Sequence, residues 1–228
     1  MRKKKEMSLI FPEFNSIRRV SQIRYVIGLD LSTVSTGMTL YDFGSNKVLE
    51  NCALRFKTED KNKTYEMSDL IIHTFEEWWD KYDIVKEELI FAKEKQPVQY
   101  GMKTTIATLV AIAKLHGLVE KYAYDNQIMM EDIAVPTVRK VILGKASAEK
   151  DEMFDYINRK YPECDLKNKA GGKDIADALA VCLASRQGVI KDFEEIIKEL
   201  NKSKKQYKTE KKRAAIEAEI RRTKEIIS

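Results

Sequence analysis

Apolar residues recur with two different periods along this chain, and the switches between them lay out its elements. Tyr25 Val26 Ile27 Gly28 Leu29 is an unbroken apolar run of strand length that ends on an acid, Asp30, and residues 36–42 alternate as a second strand should. The link, Leu31 Ser32 Thr33 Val34 Ser35, is too short for a crossover, so these two strands are expected to be antiparallel neighbours. Phe43 Gly44 Ser45 Asn46 reads as a turn and 47–56 as a third strand, which completes a meander. Over 66–81 the spacing becomes helical, with Met67, Leu70, Ile71, Phe75 and Trp78 in phase. A fourth strand ends at Glu94. A long helix over about 103–124, a fifth strand over 127–133, a short helix opening on Pro136, another from Ser147 to Tyr161 and an Ala-rich helix from Asp174 follow in turn.

Strands first, then strands alternating with helices, then helices alone, predict an α/β fold: a five-stranded mixed sheet with helices on both faces, plus a charged helical extension at the C-terminus. With 228 residues, 43% of them hydrophobic, the chain can bury one substantial core. The expected organisation is a basic extension over 1–24, a domain over 25–188, and a helical extension over 189–228. In the last segment Phe193, Ile196, Ile197 and Leu200 form an apolar stripe among charges.

Charge sharpens this division. The net +5 conceals seven Lys/Arg against two Glu in residues 1–24 and ten against four in 201–228, which leaves the body between them at −6. Basic ends on an acidic body suit a protein that grips phosphates while its core holds cations. No apolar run reaches the roughly 20 residues of a membrane span, and Leu9 Ile10 Phe11 is cut off at once by Pro12, so neither a span nor a secretory leader is expected. Cys52, Cys164 and Cys182 lack the spacing of a zinc or redox motif and point to a cytoplasmic setting; His73 and His116 fall inside helical patterns and read as structural.

The acids carry the chemistry. Asp30 and Glu94 close two apolar strands, and Asp174 and Asp177, three apart, share one face of a helix. Carboxylates mounted on apolar strands raise one another's pKa and are costly to bury unless a cation lies between them. An all-oxygen ligand set favours Mg²⁺ or Mn²⁺ over zinc. Two such ions about 4 Å apart would suit hydrolysis of a phosphodiester without a histidine base.

Three stretches together resemble a known family. Ile27 to Gly37 (Ile Gly Leu Asp Leu Ser Thr Val Ser Thr Gly), the segment from Pro136 to Lys150 with Gly144 Lys145 Ala146 Ser147 Ala148 Glu149 Lys150, and Asp174 Ile175 Ala176 Asp177 Ala178 Leu179 Ala180 are similar to the RuvC family of Holliday-junction resolvases, within the RNase H-like superfamily. The resemblance, over residues 25–186, implies an RNase H-like sheet and a Mg²⁺-dependent, structure-selective endonuclease for four-way junctions and other branched DNA, acting by a two-metal mechanism. It implies Asp30, Glu94, Asp174 and Asp177 as catalytic metal ligands for two Mg²⁺, with Mn²⁺ able to substitute, and Lys150 as the basic residue beside the scissile phosphate. Lys95, Tyr100, Lys103, Lys145 and Lys150 are the side chains expected to contact DNA.

The family works as a homodimer, and Thr105, Leu109, Ile112, Ala113 and His116 on the long helix form the expected interface. The style of the chain is similar to divergent bacteriophage and viral members, which places it in a host cytoplasm if it is phage-encoded. One departure stands out: the family sets an aromatic wedge shortly after the strand-four acid, whereas Lys95 Gln96 Pro97 Val98 Gln99 separates Glu94 from Tyr100. Competing expectations are a less selective nuclease of the same fold, for flaps, forks or RNA–DNA hybrids; a catalytically silent nucleic-acid-binding protein; and an actin-like ATPase, for which the chain has length for a single copy of the required duplicated domain.

Overall fold

The structure, a computed structural model, describes residues 23–55, 63–95, 105–206 and 210–227. Its strands are β1 (Tyr25–Asp30), β2 (Ser35–Asp42), β3 (Lys47–Arg55), β4 (Leu89–Glu94) and β5 (Met129–Ile133), in the order β3-β2-β1-β4-β5. The meander pairs antiparallel, while β1–β4 and β4–β5 are parallel, so the sheet is mixed and β1 is its central strand. The helices are α1 (Lys63–Tyr82), α2 (Ile106–Asp125), α3 (Val135–Leu143), α4 (Lys150–Lys160), α5 (Gly172–Gln206) and α6 (Glu210–Ile227).

Strand periodicity sends alternate side chains to opposite faces. On one face Tyr25, Ile27, Leu29, Met38, Leu40, Leu89 and Phe91 pack against Met67, Ile71, Phe75 and Trp78 of α1 and Leu115, Val119 and Ala123 of α2. Phe75 anchors this layer, edge-on to Phe91 at 4.8 Å and to Trp79 at 5.1 Å. The other face receives the first half of α5. There Gly28 and Gly37 have no side chain because none fits: a Cβ on Gly28 would lie 2.1 Å from the carbonyl oxygen of Ala178, and one on Gly37 2.0 Å from that of Asp174. Cys182 fills the gap beside Gly28 and donates weakly to the carbonyls of Val26 and Thr39.

Several element bounds differ from the expected ones, for local reasons. The helix expected from Ser147 begins at Lys150, because Ala148 is fully buried and Glu149 holds an extended backbone as the N-cap. The Ala-rich helix starts at Gly172 rather than Asp174: the Gly171 carbonyl accepts from the amides of Asp174 and Ile175, which puts Asp174 in the first turn. The helix expected from residue 103 begins at Ile106, where the Thr105 hydroxyl caps the amide of Thr108; Lys103 lies outside the described residues.

The described residues from Arg24 to Ser185 form one compact unit, and those from Arg186 onward belong to a second. α5 runs unbroken through positions 188 and 189. Within the second unit Ile197 and Leu200 of α5 pack with Ile216 and Ile220 of α6. Among the described residues no helix is long and apolar enough to cross a membrane, and Cys52, Cys164 and Cys182 are free thiols.

Candidate active site

Sheet register brings the first two acids together. β1 and β4 run parallel with Leu29 opposite Lys93, so Asp30 and Glu94 leave the same ends of adjacent strands, on the face covered by α5. The close approach allowed by Gly28 and Gly37 lays the first turns of α5 over them, and Asp174 and Asp177 therefore point at the same place. Asp174, in the first turn, also gains from the positive end of the helix dipole.

Lys150, the first residue of α4, joins three of the four. Its Nζ lies 2.5 Å from Asp177 Oδ2, 3.7 Å from Asp174 Oδ1 and 3.9 Å from Asp30 Oδ2. One residue along each helix, Lys173 Nζ sits 2.5 Å from Asp151 Oδ1, a second pair that fastens the start of α5 to the start of α4. A cleft of about 190 Å³ opens here, lined by Asp30, Glu94, Val138, Arg139, Lys150 and Asp177 among others. Asp174 does not line the cleft but reaches Lys150 from its edge.

The electrostatics are those of crowded, poorly solvated carboxylates. Burial, then the charges of Asp177 and Glu94, push Asp30 up to about 8, with Lys150 offsetting only part. Burial and Asp177 likewise raise Glu94 to about 7 against the pull of Lys150 and Arg139. Asp177 is raised by burial in spite of its contact with Lys150. For Lys150 burial opposes the charge, but Asp177, Asp30 and Asp174 outweigh it and hold the ammonium above its ordinary value.

Among the described residues no group of three or more His, Cys, Asp or Glu side chains is arranged to hold a metal ion as it stands; an ammonium is the cation that three of these acids share. The donor set nonetheless fits a hard divalent ion. Its ligating atoms are all carboxylate oxygens, and three of the carboxyls, those of Asp30, Glu94 and Asp177, are held in an environment that disfavours their own negative charge.

The remaining expected DNA contacts are dispersed. Lys95 is exposed just past the end of β4, with its amide bonded to the Ile133 carbonyl. Lys145 is exposed after α3 and pairs with Glu152 at 2.7 Å. Tyr100 and Lys103 lie outside the described residues. Of the expected interface on α2, Thr105 and Ala113 are exposed and Leu109 and Ile112 half-buried, whereas His116 is only 5% exposed and turns inward beside Lys93.

Sequence reasoning missed three residues. Arg139, in α3, puts a second cation at the cleft; its signal was its place in the segment between Pro136 and Lys150. Ser35 donates from its hydroxyl to Asp174 Oδ2 at 2.5 Å, a contact 139 positions apart in the chain that no local pattern encodes. Lys93 is 1% exposed and pairs with Asp132 at 2.6 Å and Glu120 at 2.9 Å; a lysine within an apolar run beside an acid was visible, but not its partners.

The family model described as crossover junction endodeoxyribonuclease RuvC matches residues 26–185. Among solved structures the fold is similar to that of Thermus thermophilus RuvC, with a TM-score of 0.54 at 18% identity over 72% of this chain and 97% of that one. The T. thermophilus RuvC complex with a Holliday junction substrate gives 0.53 at 16% over the same shares. The yeast mitochondrial Holliday junction resolvase Ydc2 gives 0.53 at 15%, over 80% of this chain and 88% of that one. No curated protein sequence matches the chain.

Proposed function

This chain belongs to the RuvC family of crossover junction endodeoxyribonucleases, and from that premise we propose that it is a divalent-metal-dependent endonuclease that cuts four-way junctions and other branched DNA. The observation that carries the reading is the convergence of Asp30, Asp174 and Asp177 on one ammonium, with Glu94 lining the same cleft. A surface meant only to bind phosphates gains nothing from stacked carboxylates. That counts against a silent binding protein.

In this reading Asp30, Glu94, Asp174 and Asp177 hold two Mg²⁺ ions, or Mn²⁺ in their place. When bound, the metal supplies an activated water and stabilises the leaving oxygen of the phosphodiester. The chain's own residues do the rest. β1 and β4 mount two carboxylates rigidly at adjacent strand ends, and α5 brings two more over them, so the ligands are preorganised by the sheet rather than by loops. Lys150, and Arg139 across the cleft, offset the negative charge that grows on the phosphate as it is attacked. Val138 and Met153 form an apolar wall that limits water beside these charges. Lys95, exposed just past the end of β4, and Lys145, exposed after α3, together with Tyr100 and Lys103, hold the flanking DNA.

The active species is a homodimer, since symmetrical cutting of a four-way junction requires two sites. The first half of α2 supports this: Ile106 is 71% exposed and Val110 48%, with Ala107 and Ala113 also exposed. The less selective reading draws support from the absence of an aromatic residue in the five positions after Glu94. Cut rates on four-way, three-way and RNA–DNA hybrid substrates separate the two, and equal rates favour the latter. The decisive test of the nuclease reading is Asp30→Asn: junction cleavage is expected to vanish while junction binding persists, and retained cleavage would overturn it.

A further inference from the structure

We propose that Ser35 is a positioning residue that fixes the carboxylate of Asp174, deciding which of its two oxygens is presented to the metal; this rests on the reading of Asp174 as a ligand given above. The two oxygens have separate partners. Oδ2 accepts the Ser35 hydroxyl at 2.5 Å, and Oδ1 is the one that faces Lys150 Nζ at 3.7 Å. With Oδ2 bonded to Ser35, Oδ1 is the oxygen turned toward the ammonium that Asp174 shares with Asp30 and Asp177.

The terminal torsion of an aspartate is broad, so nothing in Asp174 itself would hold that orientation. Its side chain is 21% exposed and stands at the edge of the cleft, where it could turn to water. Ser35 is well placed to prevent this. It opens β2 two residues before Gly37, on the same face, and the main chain of Gly37 is pressed against that of Asp174. The link leading to Ser35 is itself tied: the Thr36 hydroxyl accepts from the amide of Ser32 at 3.1 Å and donates to the carbonyl of Ser32 at 2.8 Å. The strand pairing of Ser35 with Arg55 uses only backbone groups, so the hydroxyl is not needed for the sheet. A hydrogen bond to an ionised carboxylate is short and about twice as strong as a neutral one, enough to select one rotamer over its alternatives.

The test uses the full chain without DNA and takes Mn²⁺ uptake, measured by calorimetry, as its readout beside cleavage. Ser35→Ala is expected to weaken Mn²⁺ binding about 10-fold or more, the range for loss of a residue that orients a metal ligand, while Ser35→Thr, which keeps the hydroxyl, restores most of it. The metal concentration giving half-maximal cleavage should rise in parallel, and melting in chelator should move little, because a residue that served the fold alone would change the melt and leave the affinity untouched. Should Ser35→Ala fail to fold, Ser35→Cys keeps the size with a poor donor and is expected to weaken binding likewise. Wild-type affinity in Ser35→Ala, or a Thr variant as weak as the Ala variant, overturns the proposal. Failure of the premise looks different: the unsubstituted chain would take up no Mn²⁺, and the role of Ser35 would fall with it.

Discussion

Removing one of the crowded carboxylate charges should make the metal-free protein more stable, and Asp30→Asn is where the effect is largest. Asp30 ends the central strand with its side chain 18% exposed, and its pKa rises from 3.8 to about 8 on folding, chiefly through burial and then through Asp177 and Glu94. A raised pKa means that folding takes up a proton, so the group's contribution to stability is full below about pH 4 and is lost as the pH climbs toward 8. At about 1.4 kcal/mol per unit, the three units between 3.8 and neutrality amount to ~4 kcal/mol at pH 7. This is a ceiling, since water can enter the cleft to meet the charge and Asn forfeits the attraction of Lys150. A gain of ~2–4 kcal/mol remains, or roughly 5–10 °C in melting temperature for a domain of this size. Thermal melts of both proteins in chelator at pH 5, 7 and 9 measure it. The gap should be small at pH 5, widen to pH 8 and then level off, and added Mn²⁺ should raise the wild type more than the variant. A variant that melts below the wild type at every pH, or a gap that narrows as the pH rises, would refute the reasoning.

Three further outcomes follow from the packing. Gly37→Ala forces a methyl to within 2.0 Å of the Asp174 carbonyl oxygen, which is backbone and cannot swing aside; a loss of about 3 kcal/mol, at the upper end for overpacking, is expected in urea unfolding, with cleavage falling as Asp174 is displaced. Lys93→Met replaces a buried ammonium by an apolar side chain of like length and leaves two half-exposed carboxylates that water can solvate, so stability in urea should be unchanged or higher by ~1–3 kcal/mol, and a marked loss would show the triad to be a net stabiliser. Ile106→Asp with Val110→Asp puts two charges on the exposed half of α2, and sedimentation velocity should then report a monomer if that face joins two copies.

The strands and the acids were legible for the same reason: each is a departure from a local rule. An apolar run that ends on a carboxylate violates the expectation that charges avoid the ends of buried strands, and Asp30 and Glu94 stand out on that ground alone. The i, i+3 pair Asp174 and Asp177 stands out against an Ala-rich helix. Parity then does much of the folding argument. In β1 the odd positions, Tyr25, Ile27 and Leu29, face α1 and α2, so Val26, Gly28 and Asp30 must face α5, and the same count along β4 puts Glu94 on that side. What no period could give was the spacing between layers. Gly28 and Gly37 in isolation read as weak points in two strands, yet they let the backbone of α5 press against that of the sheet, and they set the height of Asp174 above Asp30.

The residues that sequence reasoning missed share the opposite property, for their meaning lies in partners remote in the chain. Lys93 shows the difference most plainly. Read by itself, a lysine inside the run from Leu89 to Glu94 argues for an exposed edge, because a buried ammonium costs several kcal/mol. The structure makes it one of the most buried side chains, between Glu120 of α2 and Asp132 of β5. Those acids were unremarkable in sequence, one on a helix and one near the end of a strand. They acquire a role only when the parallel register sets Lys93 opposite Asp132 and α2 crosses above. Ser35 obeys the same logic with Asp174. A local pattern announces that a carboxylate is out of place, but the groups that orient it are chosen by the sheet, and they become visible only when strand register and helix height are known.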